Sequence, residues 1–243
     1  MNVKSFGYLS LIVAILALAL AHYSPQVDAA TRSSAPKACV GCDLQGQDFH
    51  GRDLGVVSWV GADLQNANLR GAVMRHANLV GVDFDGADLR DADLSDSHMA
   101  GVDLSRAQLG GIHLGGAKMA GAELADQQFT GVSDGTLRDL LNVCVGCDLA
   151  RASLSGRDLH DVHAIGVNFR NANLRGVNLR GAVLCWVSHN GIECDELRGT
   201  NLRGANLSGA QICQGDHLAD CKPLSAQILR ANGHADLSGA VGL

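Results

Sequence analysis

Large apolar residues recur along this chain with a period of five, which differs from the 3.6 of an amphipathic helix and the 2 of a half-buried strand. The series starts at Leu44 and continues without a break to Phe129. Its members between these two are Phe49, Leu54, Trp59, Leu64, Leu69, Met74, Leu79, Phe84, Leu89, Leu94, Met99, Leu104, Leu109, Leu114, Met119 and Leu124. Because a unit of five residues cannot bury its own apolar side, stacked neighbours must bury it. The pattern therefore predicts a solenoid with a narrow core along its axis.

The other positions of the unit are patterned too. A small residue, most often Ala, lies two residues before the large one, Asp or Asn often precedes it directly, and Gly often follows it two residues later. The segments Ala62–Asn66 (ADLQN) and Ala67–Gly71 (ANLRG) are typical. This unit resembles the repeat of the pentapeptide-repeat family, over about three quarters of the chain after residue 29. The resemblance implies an all-β solenoid, a right-handed quadrilateral β-helix in which four units form one coil and the small and large residues point inward.

The period is interrupted at several places. A second series runs from Leu149 to Leu184 with a weak step at Ala164, and a third runs from Ile192 to Ile212 after a slip of three residues. Before the second series, leucines spaced i, i+3, i+4 predict a short helix, and a capping helix is predicted over Pro223–Ala231. The leucines of the first helix are Leu137, Leu140 and Leu141.

These boundaries predict seven segments. They are a signal peptide (1–29), an N-terminal linker or cap (30–41), a first repeat block (42–131), a short helical insert carrying a second Cys-x-x-Cys (132–146), a second block (147–187), the register slip with a short third block (188–217) and a C-terminal cap (218–243).

The N-terminus has the features of a secretory signal peptide. Lys4 supplies a positive charge, Tyr8–Ala21 is apolar, and Val27–Ala29 fits a cleavage site with small residues. The apolar run is shorter than the roughly 18 residues that span a bilayer, although an uncleaved anchor is the alternative. Either version places the rest of the chain outside the cytoplasm, in the bacterial periplasm or secreted.

The cysteines follow the proposed cleavage site, and an even number in an exported chain favours disulfides. The hexapeptide CVGCDL occurs at Cys39–Leu44 and again at Cys144–Leu149. Structural disulfides, a redox pair and a metal site all remain open for it, whereas haem attachment is excluded because Asp follows each second Cys. One shared zinc is rejected because five stacked coils would separate the motifs by roughly 25 Å. The candidate disulfide or thiol residues are Cys39, Cys42, Cys144, Cys147, Cys185, Cys194, Cys213 and Cys221, of which Cys185 with Cys194 and Cys213 with Cys221 are predicted to close local loops.

With four units per coil, residues twenty apart stack in a column. One column is predicted to be an acidic ladder, either accepting local backbone hydrogen bonds or binding a cation or partner. Its members are Asp43, Asp63, Asp83, Asp103 and Glu123. Another is predicted to be an outward apolar column, either a contact surface or a tolerated β surface. Its members are Val60, Val80, Ala100 and Ala120.

Net charge and the predicted core limit the classes of function that the sequence supports. The formal net charge is −6, and no Lys/Arg run follows the first thirty residues, so nucleic-acid binding is not predicted. A filled column leaves no cleft for a substrate, and we expect neither enzyme activity nor a cofactor. The leading hypothesis is an exported, non-catalytic scaffold or protein-interaction module with a protein or envelope partner, a second copy of the chain included. One alternative is a thiol- or metal-binding envelope protein; another, implied by the resemblance, is an acidic DNA mimic that protects a topoisomerase, which the signal peptide disfavours.

Overall fold

In a computed structural model of the chain, the structure describes residues 35–188, 191–194, 197, 200–214, 222–227, 229 and 235–242. The chain divides into two units, Met1–Ala35 and Pro36–Leu243, and the described residues belong almost entirely to the second. The predicted signal peptide lies outside them, so export stays a prediction. Within the described part of the chain, no helix combines the length and apolar character needed to cross a bilayer.

The backbone stacks with a period of twenty residues. Asp43 pairs in parallel with Asp63, and Asp63 pairs with Asp83. The Leu44 N–H donates to the Asp63 carbonyl at 2.8 Å, and the Asp63 N–H donates to the Cys42 carbonyl at 2.8 Å. Three further bridges, from Asp48, Asp53 and Ser58, complete the first coil, which confirms the predicted four-sided β-helix; its right-handedness stays a prediction. In the first coil the four sides are the acidic face (42–46), the second face (47–51), the third face (52–56) and the apolar face (57–61), and each name also covers the residues stacked on that side.

The longer strands lie mainly on the apolar face and in two hairpins. Strand β1 (Ala38–Val40) pairs with β2 (Ser58–Val60), and β3 (Met119–Ala120) pairs with β4 (Cys144–Val145), both in parallel. A four-stranded sheet has the order β6-β5-β7-β8. Its strands are β5 (Val183–Ser188), β6 (Gly191–Cys194), β7 (Gln211–Gln214) and β8 (Lys222–Pro223).

The core is the predicted column of large residues. Leu64, Leu69 and Leu89 are completely buried, as is Ala62 at a small inward position. Trp59 is also completely buried, and its indole N–H donates to the Pro36 carbonyl at 2.6 Å, so the ring is packed without an unpaired donor. In the described coils, the inward side chains therefore form the core along the axis.

Helix α1 (Asp134–Val143) begins after Ser133, whose Oγ accepts the Thr136 N–H at 3.1 Å. The predicted face is confirmed, because the three leucines named above are buried. The coil that contains the helix is five residues longer than the regular coils of twenty, since Glu123 pairs with Asp148 instead of the residue twenty further on. This excess is one whole unit, so the column resumes in phase after the helix.

Polar groups on one side of α1 attach it to the coil that follows. Asp134 Oδ1 lies 2.5 Å from Arg157 Nε, and Asn142 Oδ1 accepts the His163 N–H at 2.9 Å. Between them, Arg138 Nη1 lies 2.8 Å from Nδ1 of His160. The first, fifth and ninth residues of the helix therefore point to the same coil.

A hairpin explains the predicted register slip. Strands β5 and β6 pair antiparallel, and the next coil pairs at a spacing of 28, as between Asn173 and Asn201. The eight extra residues are one unit plus the slip of three. Ile192, predicted to begin the third series, lies in β6 and not on a coil side, because the hairpin needs an antiparallel partner for β5. The later members Leu197, Leu202 and Leu207 are buried as predicted.

The predicted C-terminal cap contains two more sides of the solenoid. Asp236 pairs with Asn201, and Val241 pairs with Asn206. The predicted helix over 223–231 needs correction at its start, because Pro223 lies in β8, which pairs with β7. Residues 226, 227 and 229 are helical, and the Leu229 N–H donates to the Ser225 carbonyl at 3.2 Å. A capping role for this segment stays a prediction.

Candidate interaction faces

The acidic ladder exists as a stacked column. Successive members pair from Asp43 to Asp63, Asp83, Asp103 and Glu123, and Asp148 continues the column beyond α1. Parallel strands lie about 4.8 Å apart, so the carboxylates repel one another unless donors offset their charge.

Local backbone donors offset most of this charge. Asp63 Oδ1 accepts the Gln65 N–H at 2.9 Å, and Asp103 Oδ1 accepts the Ser105 N–H at 2.8 Å. Asp43 and Asp83 make the same bond to the N–H two residues further on, at 3.2 and 2.9 Å. These bonds are those of Asx-turns, so the geometry agrees with the local hydrogen-bond interpretation.

Glu123 has a different environment from the aspartates of the ladder. Desolvation by its surroundings raises the pKa of its carboxyl, and the neighbouring charges of Asp103 and Asp148 raise it further. Glu123 is exposed, so solvent screens this repulsion. The pKa of Glu123 therefore depends on whether the column of carboxylates continues past α1 to Asp148.

Arginines neutralise the edge of the acidic face. Arg106 binds Asp85 through two nitrogens, with Nε 2.7 Å from Oδ1, and the carboxylate raises the pKa of the guanidinium. Arg151 binds Asp126 in the same way at 2.7 Å. The charge of this side is therefore lower than the number of its carboxylates suggests.

The apolar column is longer than the sequence predicts. Val60 is half-buried, Val80 is 38% exposed, and Ala100 and Ala120 are exposed, so these four side chains face outward as predicted. The same stacking places three more residues in the column, Val40 (85% exposed), Val145 (48% exposed) and the half-buried Ile165. Val40 and Val145 are the second residues of the two CVGCDL motifs. The period of five places both of them in this column, but the prediction from the sequence did not include them.

Glycines border this column along the corner with the acidic face. Gly61 has φ of +62° and Gly81 has φ of +67°, conformations that cost a side chain with a Cβ. The remaining members are Gly41, Gly101, Gly121, Gly146 and Gly166. Among the outward positions of the apolar face between Ala38 and Gly166, Lys118 carries the only full charge, histidines taken as neutral. The result is a flat, largely uncharged strip along the apolar face.

Both CVGCDL motifs form disulfides, Cys39–Cys42 with Cα atoms 5.9 Å apart and Cys144–Cys147 with Cα atoms 5.7 Å apart. They lie at the same corner of the coil, five coils apart, which agrees with the rejection of a shared zinc. No group of three metal-ligating side chains occurs among the described residues.

The other four cysteines are only partly described. The backbone register places Cys185 opposite Cys194, in β5 and β6, and Cys213 lies in β7. The side chains of these three lie outside the description, and so does Cys221 as a whole. Their two predicted disulfides stay predictions.

Two surface depressions lie mainly on the third face. One, of about 570 Å³, is lined by His160, Asp161 and Arg180 among others, and the second, of about 460 Å³, by Arg75 and His113 with residues of the helix. Both lie outside the column, because the inward positions are filled by side chains.

Comparison with family models and solved structures shows which proteins the chain is similar to. The family model "Pentapeptide repeats" matches eight copies over residues 60–96, 144–184 and 196–216. Full-length QnrB1, a plasmid-mediated fluoroquinolone resistance protein, is 18% identical with a TM-score of 0.50, over 85% of this chain and 91% of that one. HetL, a pentapeptide repeat protein involved in heterocyst differentiation regulation from the cyanobacterium Nostoc sp. strain PCC 7120, is 22% identical with a TM-score of 0.36, over 85% and 89% of the two chains. No curated protein matches the sequence. The eight matched copies and the period of twenty in the backbone lead to one conclusion: the chain belongs to the pentapeptide-repeat family.

Proposed function

We propose that this protein is an exported, non-catalytic scaffold that binds a protein partner through its apolar face. The main support is the column of seven outward apolar residues from Val40 to Ile165, which is bordered by glycines. Contiguous exposed apolar surface on a soluble protein is typical of a contact site.

The shape of the face suits a protein surface. A stack of coils is rigid, so little conformational entropy is lost when a partner binds. The glycine corner has no Cβ atoms, so the backbone of a partner can approach the strands closely. The neighbouring acidic face carries a column of carboxylates and would orient a partner by charge.

Export is supported by the chemistry of the cysteines and by the N-terminus. Disulfides persist in oxidising compartments and are rare in the cytosol, and both described cysteine pairs lie at disulfide distance. The apolar segment Tyr8–Ala21 after Lys4 has the composition of a signal peptide.

The acidic DNA mimic is the second candidate, and the column from Asp43 to Asp148 favours it. Two features weigh against it. The aspartates already accept local hydrogen bonds, and the proposed export would separate the protein from a cytoplasmic target.

Fractionation tests the location. We expect the chain in the extracytoplasmic fraction with its N-terminus cleaved near residue 29, read by intact mass. Recovery in the cytoplasm with Met1 retained would overturn export and favour the DNA mimic.

Affinity capture with matched variants tests the face. The double variant Val80→Glu/Ala120→Glu puts two charges on the apolar face, and the control Ser95→Glu/Thr130→Glu puts two at the equivalent unit positions of the third and second faces. We expect the wild type and the control to retain the same envelope protein, and the apolar-face variant to lose at least about tenfold in affinity. A partner that the apolar-face variant retains would contradict the proposal.

A further inference from the structure

The two copies of CVGCDL have the same sequence and the same place in the coil but different surroundings. Cys144 and Cys147 are completely buried. Cys39 and Cys42 are half-buried, and Val40 between them is 85% exposed. A duplicated motif thus appears once inside the solenoid and once at its surface.

Stacked coils on both sides explain the burial of the second pair. On one side, Cys144 Sγ lies 3.6 Å from Met119 Sδ, and the Asp148 N–H donates to the Ala122 carbonyl at 2.9 Å. On the other side, the Asn168 N–H donates to the Cys147 carbonyl at 2.9 Å. A thiol can approach these sulfurs only after the coils separate.

The first pair has a more open position. Strand β1 pairs with β2, where Cys39 lies opposite Trp59, and the Asp63 N–H donates to the Cys42 carbonyl. The flanking Ala38 and Gly41 are exposed as well as Val40. A thiol in solution can therefore approach this disulfide in the folded protein.

Access decides the rate of thiol–disulfide exchange, because a thiolate must attack one sulfur directly. We infer that Cys39–Cys42 is a thiol-exchange site and that Cys144–Cys147 is a structural disulfide.

The exchange involves two electrons and two thiol groups from a dithiol, or from two monothiols. The first thiolate bonds to one cysteine sulfur, the Cys39–Cys42 bond breaks, and the other cysteine leaves as a thiolate that takes up a proton. The second thiolate then displaces the first cysteine from the mixed disulfide. The reductant ends as a disulfide and the protein as a Cys39/Cys42 dithiol; the reverse reaction oxidises a dithiol substrate.

The site lies at one end of the proposed contact face, because Val40 lies between the two cysteines and is also the most exposed member of the apolar column. The exchange chemistry does not depend on that face having a partner. Loss of binding by the apolar-face variant and loss of exchange at Cys39–Cys42 are therefore separate results.

The test uses the native full chain without substitutions. The protein is incubated in glutathione buffers of graded reduced-to-oxidised ratio, free thiols are trapped with an alkylating agent at timed intervals, and the labelled cysteines are read by peptide mass spectrometry. We expect Cys39 and Cys42 to label at least about 100-fold faster than Cys144 and Cys147, which react only through opening of the coils. In guanidinium the two pairs should label at similar rates.

One variant and a second reductant extend the test. Cys42→Ser should accumulate a glutathione adduct at Cys39, because the resolving thiol is absent. Replacing glutathione by a dithiol oxidoreductase distinguishes a protein thiol from a small one as the source. Equal labelling rates for the two pairs in the native protein, or no labelling at Cys39 and Cys42, would overturn the inference.

Discussion

The coils before α1 and those after it share one core but differ in regularity. Every coil of the first region repeats at twenty residues, whereas the spacing in the second rises to 28 between Asn173 and Asn201 and then places Asp236 opposite Asn201. Leu89 in the first region and Leu174 in the second are buried alike. The fold therefore depends on the inward side chains of stacked units and tolerates chain inserted between units.

The insertions lie on two neighbouring sides. Helix α1 lies on the third face, where Asp134 accepts the Asp158 N–H, and the two hairpins extend strands β5 and β7 of the apolar face. The smooth column therefore ends after Ile165, and the contact surface proposed above belongs mainly to the regular region.

The largest expected effect comes from the shared core. Leu89→Ala and Leu174→Ala should each lower the free energy of unfolding by about 2–5 kcal/mol, because each leaves a cavity in the column. Denaturant titration of each variant measures this, with the outward Val80→Ala as a control that costs under about 1 kcal/mol. A cost below about 1 kcal/mol for Leu174→Ala alone would show that the later coils are not packed as the first ones are.

The attachment of α1 to the later coils gives the next effect. Asp134→Ala removes the acceptor of Arg157 Nε and of the Asp158 N–H, at 2.5 and 3.1 Å, and should cost about 1.5–3 kcal/mol. Asp139 is exposed on the same helix, so Asp139→Ala should change the stability by no more than about 0.5 kcal/mol. Hydrogen exchange should show faster opening of residues after α1 in the first variant; equal behaviour of the two variants would contradict the attachment.

The cap of α1 provides a smaller effect. Ser133→Ala removes the acceptor of the Thr136 N–H and should destabilise by about 1 kcal/mol. Ser133→Asp keeps an acceptor at the same position and should remain within about 0.5 kcal/mol of the wild type. Thermal unfolding followed by circular dichroism compares the two, and a neutral Ser133→Ala would mean that the helix does not need its cap.

The smallest effect tests whether the acidic column crosses α1. Because the pKa of Glu123 is raised in the fold, its ionised form opposes folding above that pKa, and this cost disappears as the pH falls through it. Glu123→Gln should therefore be slightly more stable than the wild type near pH 7 and equal to it in acid. Asp148→Asn should move the pKa of Glu123 back toward its ordinary value, read by NMR titration, and no movement would mean that the column is broken at the helix.

The sequence predicts the parts of the fold that follow from inward packing. The large residues from Leu44 to Phe129, four units per coil and the buried leucines of α1 all follow from spacing, because each position either faces the axis or does not. The right hand of the coil does not follow from spacing at all.

The missed parts are those in which backbone pairing decides the structure. The residues around Ile192 have apolar spacing but pair as a hairpin, a choice made by strand partners distant in sequence. Leu237 is in phase with Ile212, yet the polar residues His217, Lys222 and Gln227 occupy intervening steps and hide the last coil.

The candidate surfaces also include features that the sequence predicts and features that it does not predict. The two outward columns are predictable because stacking places residues twenty apart on the same side of the coil. Val40 and Val145 were not predicted to belong to the apolar column, because they lie inside the cysteine motifs. The different burial of the two disulfides cannot be read from identical hexapeptides, since it depends on the coils above and below them.

A crystal structure of the chain tests most directly whether one continuous column of side chains runs through both regions. We expect the leucines of both regions to stack on one axis. We also expect the backbone pairs Glu123 with Asp148, Asn173 with Asn201, and Asn201 with Asp236. Two separate stacks, or leucines distributed over ordinary helices, would contradict this account.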